Sequence, residues 1–270
     1  MRMRLYLWFV LGILSTSTSA QVFMRPFENA AIMTLGGAGV AYPGTAAGLN
    51  NDAVPGLGEK WGIFLGSALP YGITGWQTAQ LQGFFPLSKS DGLGLDLTHS
   101  SIEAYSEQRA RLIYGRRLGA KLLLGGSADL LHVSAREYGG ASGVNVGLSM
   151  LANPLPGIWL GARVQNPVQF ELGDALVPTV FRLGAAWRAG PTLILLAETE
   201  KDLERPVQVK AGVEYHPLDL LVLRLGVRTG PGRMAFGGGI RLQNGLAFDT
   251  GVEWHPVLGL TPSATIVWRK

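Results

Sequence analysis

The sequence predicts an all-β fold: a 14-stranded antiparallel transmembrane β-barrel with an N-terminal plug segment. Three observations predict it. Apolar residues recur with a period of two in stretches of about ten. The alternate positions in those stretches hold Gly, Ser, Gln, Arg and Glu, not a second apolar set. The composition is glycine-rich and charge-poor: 38 of 270 residues are Gly and only 16% are charged, against usual shares of about 7% and about 25%.

Taken in chain order, the first element is an export signal. Arg2 and Arg4 form a short basic start, residues 5–14 (LYLWFVLGIL) are uninterruptedly apolar, and residues 15–20 (STSTSA) end in a small-residue cleavage site before Gln21. That is the layout of a secretory signal peptide, and ten apolar residues are too few to span a bilayer as a helix. The mature chain is then expected in the bacterial outer membrane. It carries 21 basic and 19 acidic residues with no run of five cations, which argues against nucleic-acid binding. The absence of Cys excludes disulfide and thiolate-metal scaffolds.

Residues 21–60 do not alternate. They hold Gly36, Gly37, Gly39, Asn50, Asn51 and Pro55 among many small apolar residues. A segment of this kind ahead of a barrel is expected to fold inside it as a plug.

From residue 61 the alternation begins. Three windows without charge, 29–51, 61–88 and 138–162, are long enough to pass for membrane helices, but Gly, Pro and polar residues interrupt them. Period two fits instead. Residues 207–215 place Val207, Val209, Ala211, Val213 and Tyr215 on one face and Lys210 and Glu214 on the other, and 221–228 and 246–254 do the same. The predicted strands are 62–69, 75–85, 92–99, 105–116, 121–133, 142–151, 157–165, 179–188, 192–200, 206–215, 220–229, 233–242, 245–254 and 260–269. Short turns at 118–120, 189–191, 216–219 and 243–245 alternate with a longest connection at 166–178. An even number of such strands suits an outer-membrane barrel, which lipid forces to close because it cannot satisfy a free strand edge. A soluble sandwich would need a second apolar layer.

The inward face of the second half carries both signs: Arg182, Glu198, Glu200, Lys210, Glu214, Arg224, Arg228, Arg241, Asp249 and Glu253. Opposite charges on adjacent strands suit a lumen network that pairs internally, because an unpaired buried charge is costly. A polar conduit is the other reading. No catalytic constellation, metal site or cofactor motif is found. Asp129 and His132 fall on opposite strand faces. His216 and His255 sit in the similar sequences EYHP (214–217) and EWHP (253–256), where they suit turn geometry beside an interfacial aromatic.

Residues 29–57 (NAAIMTLGGAGVAYPGTAAGLNNDAVPGL) resemble the N-terminal signature of PorV/PorQ-like proteins in the wider FadL-like barrel group. The block 33–41 (MTLGGAGVA) follows that signature closely, whereas 50–57 (NNDAVPGL) departs from its Asn-Pro-Ala-Gly-Leu. Resemblance continues at 109–118 (RARLIYGRRL), 165–167 (QNP), 198–201 (ETEK), 211–217 (AGVEYHP), 223–227 (LRLGV) and 258–268. It implies a 14-stranded outer-membrane barrel with a plug, and two sorts of role. PorV/PorQ-like members serve type IX secretion, which implies an accessory or structural barrel that docks a larger envelope protein. FadL-like members pass hydrophobic small molecules through a lateral opening. The first is favoured by small loops and a self-paired lumen. The second predicts a lateral gap or detergent density inside the barrel. Lipid is the common partner of both.

Overall fold

The computed structural model describes residues 21–23, 27–46, 48–58 and 60–270; the expected signal peptide lies outside them. Among these residues, fourteen antiparallel strands close into one barrel. They are β1 (Gly62–Ala68), β2 (Trp76–Pro86), β3 (Asp91–Ile102), β4 (Tyr105–Arg117), β5 (Leu122–Ala135), β6 (Gly139–Leu155) and β7 (Ile158–Gln165), then β10 (Val180–Arg188), β11 (Leu193–Asp202), β12 (Gln208–Leu218), β13 (Leu221–Arg228), β14 (Arg233–Arg241), β15 (Leu246–His255) and β16 (Gly259–Arg269). Each pairs with its sequence neighbour, and β1 meets β16 from Gly62↔Arg269 to Ala68↔Ser263 to close the ring. The connection at 166–179 holds a small hairpin of its own, β8 (Phe170–Leu172) and β9 (Ala175–Val177).

The barrel is inverted relative to a soluble protein. Val144 and Leu183 are 67% and 62% exposed, whereas Lys210 and Glu214 are 1% exposed. Hydrocarbon is the solvent that makes this distribution favourable. Short turns gather at one rim with Trp61 and Trp268, whose rings meet edge-on at 5.1 Å. Exposed Phe85, Tyr114, Trp187 and Tyr215 stand near strand ends at that rim, and Trp254 at the opposite one. They mark the two membrane interfaces. The similar EYHP and EWHP sequences thus serve opposite ends of the barrel.

Strand positions depart from the sequence reading where the backbone bulges. β6 runs over 139–155 rather than 142–151, with a register shift between Ala152 and Leu155. β12 runs to Leu218, so 216–219 is not a simple turn: a bulge after Tyr215 keeps the chain paired. A bulge adds a residue to one strand and breaks strict alternation there.

The N-terminal segment lies within the ring. Residues 27–58 include the helical turn α1 (Ala30–Met33), capped by Asn29, whose Oδ1 accepts from Ile32 N–H. A 3-10 turn follows over Val54–Leu57. At one rim Val22 N–H donates to the Leu176 carbonyl of the 170–177 hairpin, and at the other Arg117 donates to the Leu57 carbonyl. The segment therefore crosses the lumen from end to end.

Space for it comes from glycines on the inner wall. A Cβ at Gly125 would lie 2.1 Å from the Asp52 backbone, one at Gly161 2.1 Å from the Val40 carbonyl oxygen, and one at Gly226 2.0 Å from the Gly36 nitrogen. Backbone lies directly on backbone at each place, which explains much of the glycine excess.

Candidate functional site

The lumen is filled by ion pairs and by the segment. On the second-half wall, Arg182 Nε lies 2.6 Å from Glu200, and Lys210 Nζ 3.1 Å from Glu198 and 2.9 Å from Glu200. Glu198 also accepts from the Gly39 and Val40 N–H groups at 2.9 and 2.8 Å. Arg224 holds Glu214 and Asp249, each at 2.6 Å, and Arg241 reaches Asp249 at 2.7 Å. Arg228 and Arg233 both pair with Glu253. Arg224 spans from β13 to β15 over β14, where Gly237 and Gly239 present no side chain; a Cβ at Gly239 would meet Asp249 at 2.1 Å.

Among the residues singled out in the segment, Gly36 and Gly37 adopt positive φ (68° and 80°), which favours glycine. The Asn50 carbonyl accepts from Arg163 at 3.4 Å, Asn51 Nδ2 donates to the Val40 and Met150 carbonyls, and Pro55 opens the 3-10 turn.

Sequence reasoning missed a second network on the first-half wall. Arg111 binds Asp129 through two bonds of 2.7 and 2.8 Å. Asp96 accepts from Gln80, Gln82, Thr98 and Arg109. Asp52 of the segment pairs with Arg163 at 3.1 Å and accepts from Ser149 at 2.9 Å and Ser127 at 3.3 Å. These wall residues occupy inward positions of strands that alternation had located, so the same period-two rule could have found them. His216 lies within β12 rather than in a turn, on the same face as Glu214, and its Nε2 lies 2.8 Å from that carboxylate. His255 does shape its turn, with Nδ1 accepting from the Val257 and Leu258 N–H groups.

Tyr42 donates its hydroxyl to Glu214 at 2.8 Å. Tyr42→Phe leaves Glu214 without that donor and is therefore expected to lower stability by about 1–3 kcal/mol, read from the barrel's urea midpoint.

Space for an apolar molecule differs sharply between the lumen and the lipid face. Inside, below the 170–177 hairpin, a cavity of about 40 Å³ remains beside Phe23, Arg109, Asp129 and Glu200. That suits a water or two, not a hydrocarbon. Outside, a groove of about 720 Å³ crosses β4 to β7 and β10, walled by Tyr114, Leu124, Leu148, Met150, Phe181 and Leu183. Its size lies in the range of small-molecule sites. Its floor reaches Gly125, Ser149 and Arg163, and Asp52 is seated on the lumen side of those residues. The inward row there is Gly92, Gly115, Gly125 and Ser149 on successive strands, so the wall is little more than backbone. No lateral gap interrupts it: the ladder from β4 through β10 is continuous. Among the described residues no group of three His, Asp or Glu could hold a metal.

No protein-family model matches the sequence, and no curated protein matches it significantly. Solved structures do. The Ralstonia pickettii toluene transporter TbuX superposes with a TM-score of 0.66 at 12% identity, over 88% of this chain and 96% of that one. A Pseudomonas aeruginosa FadL homologue gives 0.66 at 12% identity, over 91% and 97%. This chain has the FadL-like barrel fold. The Pseudomonas putida toluene transporter TodX agrees, with 0.64 at 14% identity over 92% and 98%. TbuX and TodX are toluene transporters, and nothing in these likenesses singles out the PorV/PorQ-like branch.

Proposed function

We propose that the protein is a passive bacterial outer-membrane transporter of hydrophobic small molecules, with residues 27–58 as its plug and the β4–β10 groove as its sideways route. The order of preference drawn from the sequence is thereby reversed. One observation carries the reading: an apolar groove in the lipid-facing wall is backed, through a strip of glycine and serine, by a plug loop anchored to that wall through Asp52, Asn51 and the Asn50 carbonyl. TbuX and TodX, toluene transporters with this fold, support the choice of cargo class. On this reading the structure is a closed state. Unseating the loop at 50–53 uncovers the lumen side of the thin strip, but passage also requires neighbouring strands to part there, because the ladder is continuous as it stands; an apolar molecule that leaves the lumen then gains burial in the groove and the surrounding lipid. The lumen ion pairs hold the rest of the plug and wall in register.

A cross-link tests this cleanly, because the chain has no Cys. Asp52→Cys/Ser149→Cys places two thiols where the carboxylate and hydroxyl now meet. In proteoliposomes, uptake of a fluorescent naphthylamine is expected to fall at least tenfold on oxidation and to return on reduction. Equal uptake by fully cross-linked and reduced protein would overturn the proposal.

The unbroken ladder and self-paired lumen favour a second reading, an accessory barrel that docks a larger outer-membrane protein of a secretion system, as in PorV/PorQ-like proteins. That reading expects co-purification with such a partner in mild detergent, and isolation solely as a monomer counts against it.

A further inference from the structure

At the long-loop rim, the outer face by the usual design of such barrels, Gln21 lies against the 170–177 hairpin. It bridges Leu176 in parallel, and the next two residues are tied down as well: Val22 N–H donates to the Leu176 carbonyl and Phe23 N–H to Glu107 Oε1 at 3.0 Å. Val22 is buried in an apolar cluster with Leu131, Leu172 and Val177. The side-chain amide of Gln21 is served on one side alone. Its Oε1 accepts from Arg205 Nε at 2.9 Å. Its Nε2 is sealed from solvent and has no hydrogen-bond partner among the described residues. A buried amide nitrogen left without an acceptor is costly, and such groups are rare in folded proteins. The sequence places this same residue directly after the small-residue cleavage site of the expected export signal.

We propose that Gln21, freed as the N-terminus by cleavage after Ala20, closes to pyroglutamate, and that this lactam is the form seated at the outer mouth. The α-amino nitrogen attacks Cδ, the Cδ–Nε2 bond breaks, and Nε2 leaves as ammonia with a proton from the attacking amine. Neither oxidant nor reductant is needed. The atom expelled is the one for which the fold supplies no acceptor, and the oxygen retained is the one that Arg205 holds. Closure also removes the ammonium of a free terminus. That ammonium would be a second cation on the residue that Arg205 approaches, next to the buried side chain of Val22. An uncharged terminus thus suits the contact of residues 21–23 with the hairpin. The site lies apart from the groove and does not depend on the transport reading.

The test expresses the full chain with its own leader in a bacterial host and extracts it from outer membranes into neutral detergent. Intact-mass spectrometry and sequencing of the N-terminal peptide are run on fresh protein. The expected mass is that of residues 21–270 less one ammonia in nearly all molecules, with a terminal peptide that pyroglutamyl peptidase opens once the protein is unfolded. A start at another residue, an intact Gln21 amide, or a lactam that grows in only during storage overturns the proposal. The seating role is tested on one sequence in two forms. Residues 21–270 are refolded into detergent with Gln21 left open, or closed beforehand by glutaminyl cyclase, and heat-modifiable gel mobility verifies that both barrels fold. Thermolysin is expected to cut the open form before residue 28 about tenfold faster than the closed form. Equal rates would show that the lactam does not seat the terminus and would overturn that part of the proposal.

Discussion

Gly226→Val is expected to unseat the N-terminal segment without preventing barrel closure. A Cβ at this position would lie 2.0 Å from the Gly36 nitrogen and 2.2 Å from the Leu35 carbonyl carbon, and both are backbone atoms. No rotamer change relieves such a clash. Overpacking by a side chain alone costs about 1–3 kcal/mol, and a clash with backbone costs more. The strand itself is spared: Leu225 and Val227 still face lipid, and β13 keeps its pairing with β12 and β14. Limited proteolysis checks the result. The wild-type segment should resist thermolysin, and the variant should be cut within 27–58 while the barrel keeps its compact mobility on unheated gels. Full protection in the variant would show that the bare inner wall is not what seats the segment. If the plug reading is right, the same variant should also raise naphthylamine uptake.

Arg224→Ala is expected to cost about 3–5 kcal/mol, the usual penalty for removing one partner of a buried pair. Arg224 is 4% exposed and joins Glu214 on β12 to Asp249 on β15, so its loss strands two carboxylates at once. Urea denaturation in lipid vesicles measures the effect. Arg224→Ala/Glu214→Gln should recover part of the loss, because the second change removes one of the orphaned charges. A single-variant loss below about 1 kcal/mol would mean that water already reaches these groups.

The strands were legible because each buries one face alone. In 207–215, 221–228 and 246–254 a period of two has a single physical cause, lipid on one side and a polar lumen on the other. Boundaries failed where the pairing slips, at Ala152–Leu155 and Tyr215–Leu218, since a bulge writes no distinct residue pattern, and at the far ends of β3 and β6, where regular pairing runs on to Ile102 and begins at Gly139 through residues with no apolar alternation. The second-half charges stood out because their signs alternate between adjacent strands. Asp96, Arg109, Arg111 and Asp129 obey the same rule but are scattered among leucines and glycines. Asp52 left no local signal, because its partners Ser127, Ser149 and Arg163 are 75 or more residues away. The groove was unreadable for a different reason. Its walls are ordinary lipid-facing residues, and only the row of glycine and serine behind them sets that stretch apart. Glycine abundance was plain in the composition, but its use depends on which backbone lies over which strand.

The end-to-end course of the described residues between 21 and 58 bears on biogenesis. The chain lays this stretch down before it makes the first strand, yet the finished ring encloses it on every side. Drawing a thread that carries Glu28, Tyr42 and Asp52 through a completed, densely packed hoop would strip water from each of them in turn. Curling the sheet around the thread instead lets every ion pair form as its strand arrives. On that course the segment would act as a mandrel, with the β1–β16 seam left to close around it.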